Sequence, residues 1–578
     1  MRHGLFTLTV LGLALLLTGC QAEPSATPMP APVAPPRPTN TPPPTATPLV
    51  VPTVATQTSA AGAPLPTDRG KLFSGSGACA TCHAGMIDEA GENVAIDREW
   101  RASIMANSAR DPYWLASVRA EVEAHPEMRE TIESMCAGCH MPMGAQLAAA
   151  EGDSPAILDN GMASPEHPLH VWAADGVSCA LCHQILDINL GLPEANSGGF
   201  RIDLEKPIGE RSVFGPFEIA PGQAAIMQTG SGFVPVQGTH LSRSEMCATC
   251  HVLYTPYLDA SGEIAGEFPE QVPYYEWFYS SYRTTRSCQD CHMPEAVGGV
   301  KIAITSQDLR SPFLRHSFAG ANLYMLRLLQ QNGDELGVTA SGEHFESALT
   351  GTLKMLEEDT ASLSLEDTKL VGSYLTSTVV VENQAGHKFP TSFPSRRAWL
   401  HIRVTDSAGK ILFESGGANP DGSIVGNAND EDPQAVEPHY EAIVQPGQVQ
   451  IYEAVLQDSE GDVTTNLLRA SAYRKDNRLL PLGFEKGAPY EDIAVRGEAR
   501  DDLNFLDTGD RLDLALRLES AQAPLTLSVE LLYQSIGFRW AENLRQTKAQ
   551  EVERFLGYYD GLPNTPVVVA SASQEIGP

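Results

Sequence analysis

Cysteine is almost missing from this chain outside five short motifs. Ten of the eleven cysteines fall inside those motifs, and Cys20 stands alone. Beyond the first twenty residues there is no run long and apolar enough to cross a bilayer, which takes about 20 residues. Cationic side chains are scarce, with Lys plus Arg 39 against Asp plus Glu 72 and a net charge of −33. Such a field repels nucleic acid and anionic membrane surfaces and suits a basic redox protein or a cationic substrate. Simple solubility of a secreted protein explains the charge equally well. No C-x-x-C-K variant occurs, and nothing after residue 292 contains cysteine.

The five motifs all read C-x-x-C-H: Cys79–His83, Cys136–His140, Cys179–His183, Cys247–His251 and Cys288–His292. This spelling marks covalent c-type haem attachment. Cys79, Cys82, Cys136, Cys139, Cys179, Cys182, Cys247, Cys250, Cys288 and Cys291 would form the thioethers. His83, His140, His183, His251 and His292 would ligate iron. Two residues between the sulfurs let one turn of backbone span the vinyl positions and set the histidine under the metal. Zinc needs two pairs or further ligands per ion, which five pairs do not supply. A disulfide framework does not call for histidine after every pair. With 15 His in 578 residues, that neighbour arises by chance roughly once in forty. The expected cofactors are therefore five covalently bound haems.

Arg2 precedes an apolar stretch, Leu5 to Leu17, that ends in Leu17-Thr18-Gly19-Cys20. A charged start, a short hydrophobic core and small residues before a lone cysteine resemble a bacterial lipoprotein signal over residues 1–20. The resemblance implies lipidation of Cys20 and an extracytoplasmic, lipid-anchored chain on the periplasmic or cell-surface side. Residues 21–70 are Pro, Thr, Ala and Val with few charges. They cannot bury a core and read as an extended tether. At about 3 Å per residue, it would reach roughly 100 Å or more.

The fold class expected is multidomain. An irregular, mostly α multihaem domain spans 71–335, a helical connector 336–365, an antiparallel β-sandwich with a C-terminal helix 366–560, and a tail 561–578. Asp111-Pro112 signals a helix start, with Tyr113, Leu115, Val118 and Val122 following until His125-Pro126. A short helix over Glu127–Ser134 would deliver Cys136. Residues 198–236 read as loops with a small hairpin. Helices are expected over Phe318–Gln331 and from Ser341, where Phe345, Leu349, Leu353 and Leu356 keep helical spacing. Then the period changes to two, as in STVVVEN, AWLHIRVTD, RLDLALRLES and PLTLSVELLYQ, which argues for strands. Ala541–Phe555 reads as the closing helix. The haem region makes little core of its own, so the apo-chain is expected not to fold.

Each iron needs a second axial ligand, and that choice separates an electron carrier from a catalyst. Nine histidines remain outside the motifs and the signal: His125, His167, His170, His240, His316, His344, His387, His401 and His439. His170, His240 and His316 flank motifs or follow the last one and are taken as distal ligands, with His167 the alternative to His170. His387 lies in the Gly- and Pro-marked loop AGHKFPTSFPS, where it could lean from the sandwich onto a haem and clamp it. His401 alternates with Trp399 and Arg403 and is expected to face outward. His125, His344 and His439 read as helix-end or loop residues.

Several phrases resemble the bacterial multihaem cytochrome c proteins, akin to the tetrahaem cytochromes of nitrifying bacteria. They are EWRASIMANSARDPYW, DGVSCALCHQI, MCATCHVLYTPY, YYEWFYSSYRTTRSCQDCHMP, RHSFAGANLYML and AGHKFPTSFPSRRAWLHI. The likeness covers about residues 72 to 560. It implies a pentahaem lipoprotein that carries electrons rather than a catalyst. Redox proteins would be its partners, a membrane quinol-oxidising complex among them, and nucleic acid would not. The same pattern offers Met105 as an axial ligand, against the plainer role of filling a haem pocket. Met141 and Met293 would shape haem edges. The competing reading is an oxidoreductase of a small nitrogen or sulfur compound at a five-coordinate haem.

Overall fold

Asp111 begins the first long helix, Pro112–Ala124, as its sequence asks: the carboxylate accepts from the amides of Tyr113 and Trp114 at 2.8 and 3.1 Å. Proline occupies the first turn, where a missing N–H costs nothing. The computed structural model describes residues 62–487, 490–519 and 523–577. Cys20 and nearly all of the tether, residues 21–61, lie outside the described residues.

Short helices carry the motifs: Ser76–Ala80, Arg129–His140, Cys179–Cys182, Glu245–His251 and Cys288–His292. The second runs longer than the Glu127–Ser134 segment read from sequence and takes in the whole pentapeptide. The expected hairpin in 198–236 is absent. Ser212–Gly215 and Val234–Gln237 pair in parallel, with the helix Pro221–Ser231 crossing between them. Pro221 at the start and the helix formers Ala224, Ala225, Ile226, Met227 and Gln228 outweigh the glycines, and a parallel pair needs such a crossover. Leu323–Gln331 begins five residues after Phe318, because Asn322 caps it by accepting from the Met325 amide at 3.3 Å. Gly342–Lys354 follows a capping box formed by Ser341 and His344.

From Ala361 the chain builds two sheets. One orders the strands Ala442–Ile443, Asp510–Arg517, Tyr374–Asn383 and Ala361–Val371. The larger centres on Arg397–Asp406, flanked by Ile451–Gln457 on one side and Leu525–Gln534 on the other. Every pairing in both is antiparallel except that of Ala442–Ile443. Leu375, Val379 and Val381 of the first sheet share one buried core with Leu400, Ile402, Val404, Leu527, Val529 and Leu531 of the second. Alternation at period two thus gives a sandwich, as expected. Val252, Val272 and Tyr274 from the motif region join the same core.

Two expectations at this end need correction. Residues 561–578 are not merely a tail: Val567–Ile576 pairs with Leu525–Gln534 as a further strand. Its alternating VVVASASQEI carries the signal. The closing helix splits into Phe538–Leu544 and Gln550–Gly561. The second packs on Pro112–Ala124, with Tyr113 and Phe555 ring centroids 5.1 Å apart and Arg119 Nη2 2.9 Å from Glu551. His401 does sit beside Trp399 and Arg403, but that face is not open. Trp399 is wholly buried against Ile424, Val449, Ile451 and Leu532, and His401 bridges Glu414 and Glu530 at 3.0 and 3.1 Å.

Candidate functional site

The five motifs are linked by hydrogen bonds at some junctions and by packing at others. Asp175 receives Ser76, just ahead of the first motif, through N and Oγ at 2.9 and 2.6 Å, and Ser178, ahead of the third, at 2.7 Å. Ser197 and Gly198 donate to the carbonyls of Val252 and Thr249 around the fourth motif, at 2.8 and 2.7 Å. A Cβ on Gly198, which holds φ +79°, would stand 3.6 Å from Cys139 Sγ of the second. Ser244 Oγ accepts from the Cys288 amide at 3.0 Å, and Gln289 donates to the Leu241 and Arg243 carbonyls, fastening fourth to fifth. Third and fourth meet through Ala180, Leu181 and Ile185 packing with Met246 and Cys250. All ten thiols are free, and Cys79 faces Cys179, Cys139 faces Cys250, and Cys247 faces Cys288 across motifs.

Four of the five motif histidines are held by their Nδ1 atoms. His83 Nδ1 donates to the Ile302 carbonyl at 2.5 Å, His140 to Ser108 at 3.3 Å, His183 to Phe214 at 2.6 Å and His292 to Ala319 at 2.6 Å. A carbonyl only accepts, so Nδ1 carries the proton and Nε2 keeps a free lone pair. That is the tautomer and the outer partner a metal-ligating imidazole wants. Trp114 stacks on His140 with centroids 4.4 Å apart and planes 1° off parallel, fixing its ring. Burial depresses the basicity of these rings and keeps them neutral: His140 and His251 are pushed down to about 4. For His251, the charges of His292 and Arg396 add to the effect of burial.

Two of the predicted distal histidines meet motif histidines. The His183 and His316 ring centroids lie 6.5 Å apart with planes 14° from parallel. Those of His292 and His387 lie 6.2 Å apart at 10°. Direct stacking would bring the rings much closer. Two metal–nitrogen bonds of about 2 Å, plus the reach from each nitrogen to its ring centre, put bis-histidine centroids roughly 6 Å apart. The outer histidines match the inner ones in detail. His316 Nδ1 donates to Leu314 at 3.1 Å and His387 Nδ1 to Lys388 at 2.9 Å. Burial, then the neighbouring His183, pushes His316 down to about 3, and burial, then His292, lowers His387. Each pair presents two neutral imidazoles to one gap, a donor set that fits one metal ion between them.

The remaining candidates divide. His170 holds Nδ1 on the Met162 carbonyl at 2.9 Å, the same arrangement as a ligating ring, but no motif imidazole faces it at that spacing among the described residues. His167 accepts from the Leu169 amide at 3.2 Å through Nδ1. His240 is reversed: its Nε2 donates to Ile185 at 2.9 Å, leaving only Nδ1. Met105 is half-buried, and its carbonyl accepts from the Val177 amide at 3.0 Å, so its backbone braces the approach to the third motif. His125 contacts Asn466 at 3.2 Å, and His344 closes its helix cap.

His439, with Asp502 and Asp510, forms the one compact metal-like cluster among the described residues. Its Nδ1 receives Gln450 and Asn477 at 2.8 and 3.0 Å, and both amides are oriented by backbone N–H groups. Nε2 therefore carries the proton, donated to Asp502 at 3.1 Å, and has no lone pair for an ion. Sequence reasoning missed a second buried feature. Glu121 and Glu270, separated by 149 positions, converge beside Cys136. Burial pushes Glu121 up to about 7, and burial plus the Glu121 charge pushes Glu270 up to about 8.

No protein-family model and no curated protein matches the chain. Among solved structures it is similar to a penta-heme cytochrome c552 from Thermochromatium tepidum, at 16% identity over 83% of this chain and 96% of that one, with a TM-score of 0.46. No helix of the described residues is long and apolar enough to cross a membrane.

Proposed function

We propose that this chain is a c-type multihaem cytochrome that carries electrons between redox partners outside the cytoplasm. The observation that carries the reading is the pair of histidine gaps, 6.5 Å between His183 and His316 and 6.2 Å between His292 and His387. When bound, haem iron supplies a reversible one-electron change. The chain's side chains hold and insulate it. Ten motif thiols would tether the macrocycles, His183 and His316 would hold one metal, and His292 and His387 another. Carbonyls at Phe214, Leu314, Ala319 and Lys388 fix the four rings. With His316 and His387 as second ligands, neither centre would have room for an outside ligand, which suits transfer over catalysis.

Hydrogen bonds and packing between motifs keep them in contact, so charge need not cross bulk water inside the molecule. The acidic surface, net −33 for the full sequence, favours a basic partner and would speed its encounter at low salt. Lipidation at Cys20 and the 21–70 tether would keep the body near an envelope membrane and a quinol-oxidising donor. Glu121 and Glu270 favour a second reading at the second motif. Two buried acids beside Cys136, Glu270 raised to about 8 and Glu121 to about 7, would offer protons for reduction of a small nitrogen or sulfur compound.

Intact mass and EPR of the purified protein test the proposal together. Five tetrapyrrole additions, low-spin signals for at least two centres and no change in those signals with carbon monoxide or nitrite are expected. A mass without tetrapyrrole overturns the haem reading, and a high-spin centre that binds nitrite favours the second one.

A further inference from the structure

His387 is not held by its own loop alone. The next residue, Lys388, is wholly buried, and its Nζ stands 2.6 Å from Asp476 Oδ2, also wholly buried. Arg478 grips the same carboxylate twice, Nε to Oδ1 and Nη2 to Oδ2, both at 2.8 Å. Its third nitrogen, Nη1, forms a close ion pair with Glu276 Oε1 at 2.8 Å, without hydrogen-bond alignment. Glu276 Oε2 then returns to the loop, accepting from the Lys388 amide at 3.2 Å and from Thr391 Oγ1 at 2.5 Å.

These four groups carry two positive and two negative charges, so they close into a neutral unit. Neutrality favours such a cluster, because a buried charge without a partner leaves its desolvation uncompensated. Glu276 lies on the helix Pro273–Phe278 in the motif region, while Lys388, Asp476 and Arg478 belong to the sandwich. Asn383 adds a second restraint by donating to the His387 and Leu479 carbonyls at 2.8 and 3.0 Å. The cluster therefore ties the loop that carries His387 to the helix Pro273–Phe278, across the boundary between the two regions.

We infer that Glu276 is a positioning residue for His387, acting through Lys388, Thr391 and Arg478 to hold the His292–His387 gap at the width one metal needs. The inference rests on the haem reading above. Glu276→Gln leaves one unmatched positive charge in the cluster. It should convert one low-spin EPR signal of the purified full chain to high spin, or shift its g values, and leave the other centres untouched. Adding Lys388→Met to Glu276→Gln restores neutrality and should return that signal towards the wild-type position. Thr391→Ala removes a single hydrogen bond to Glu276 and should shift the same signal less, which decides the matter if Glu276→Gln does not accumulate. Intact mass of each variant reports the attached tetrapyrroles separately from their ligation. Wild-type spectra for both Glu276→Gln and Thr391→Ala, or equal disturbance of every centre, would overturn the inference.

Discussion

Replacing Glu270 by Gln should change how stability depends on pH more than it changes stability itself. Glu270 sits in the strand Ile264–Gln271 and is only 4% exposed. Burial, reinforced by Glu121, raises its carboxyl from an ordinary 4.5 to about 8. The folded state thus keeps a proton that the unfolded chain has already released, and stability falls as pH rises between those values. Holding the carboxyl protonated over that whole span is worth at most about 5 kcal/mol, and about 3 kcal/mol falls between pH 5 and pH 8. Gln carries no such proton, and because Glu121 and Glu270 interact, the difference reports the titration of this buried pair. Relative to wild type, Glu270→Gln should gain about 3 kcal/mol from pH 5 to pH 8, roughly 3 °C in Tm for a chain of this size. Calorimetry of the haem-loaded protein at both pH values measures it. Parallel wild-type and variant slopes would refute the argument that Glu270 is buried as the neutral acid.

Asp111→Ala removes a cap that accepts two amides and should cost about 1 kcal/mol. Burial raises Asp111 to about 6, so Asp111→Asn, which keeps an acceptor without the charge, should match or exceed wild type above that pH in thermal melts. Leu531→Ala, at a fully buried sandwich position, should cost about 2–5 kcal/mol in chemical denaturation while leaving the haem spectrum unchanged. His316→Ala should turn one centre high spin without disturbing the His292–His387 centre, and the double variant with His387→Ala should turn two. Resonance Raman spin-state markers read this directly, and unchanged markers would remove His316 from the ligand set.

Much of the architecture was legible because its signals are local. Asp111-Pro112 announced a helix, period-two alternation announced the sheets, and each C-x-x-C-H falls on or beside a short helix. Misreadings arose where a local cue was outweighed. Glycines in 198–236 suggested a hairpin, yet the good helix formers of 221–231 made a crossover. Residues 567–576 looked like a tail because their partner strand lies some forty positions earlier. At the site, loop position points to His316 and His387, and both face a motif imidazole. Loop position points equally to His240, but its Nε2 is spent on the Ile185 carbonyl. Nothing along the chain reports which ring nitrogen a folded backbone will occupy. The Glu276–Arg478–Asp476–Lys388 cluster was equally invisible, since its members span 202 positions and only folding brings their charges together.

Anomalous scattering at the iron edge, from crystals of the purified protein, tests the ligand pairs most directly. An iron peak should lie between His292 and His387, and another between His183 and His316, each about 2 Å from both Nε2 atoms. Peaks bonded to the motif histidine alone, with His316 and His387 turned away, would contradict the account.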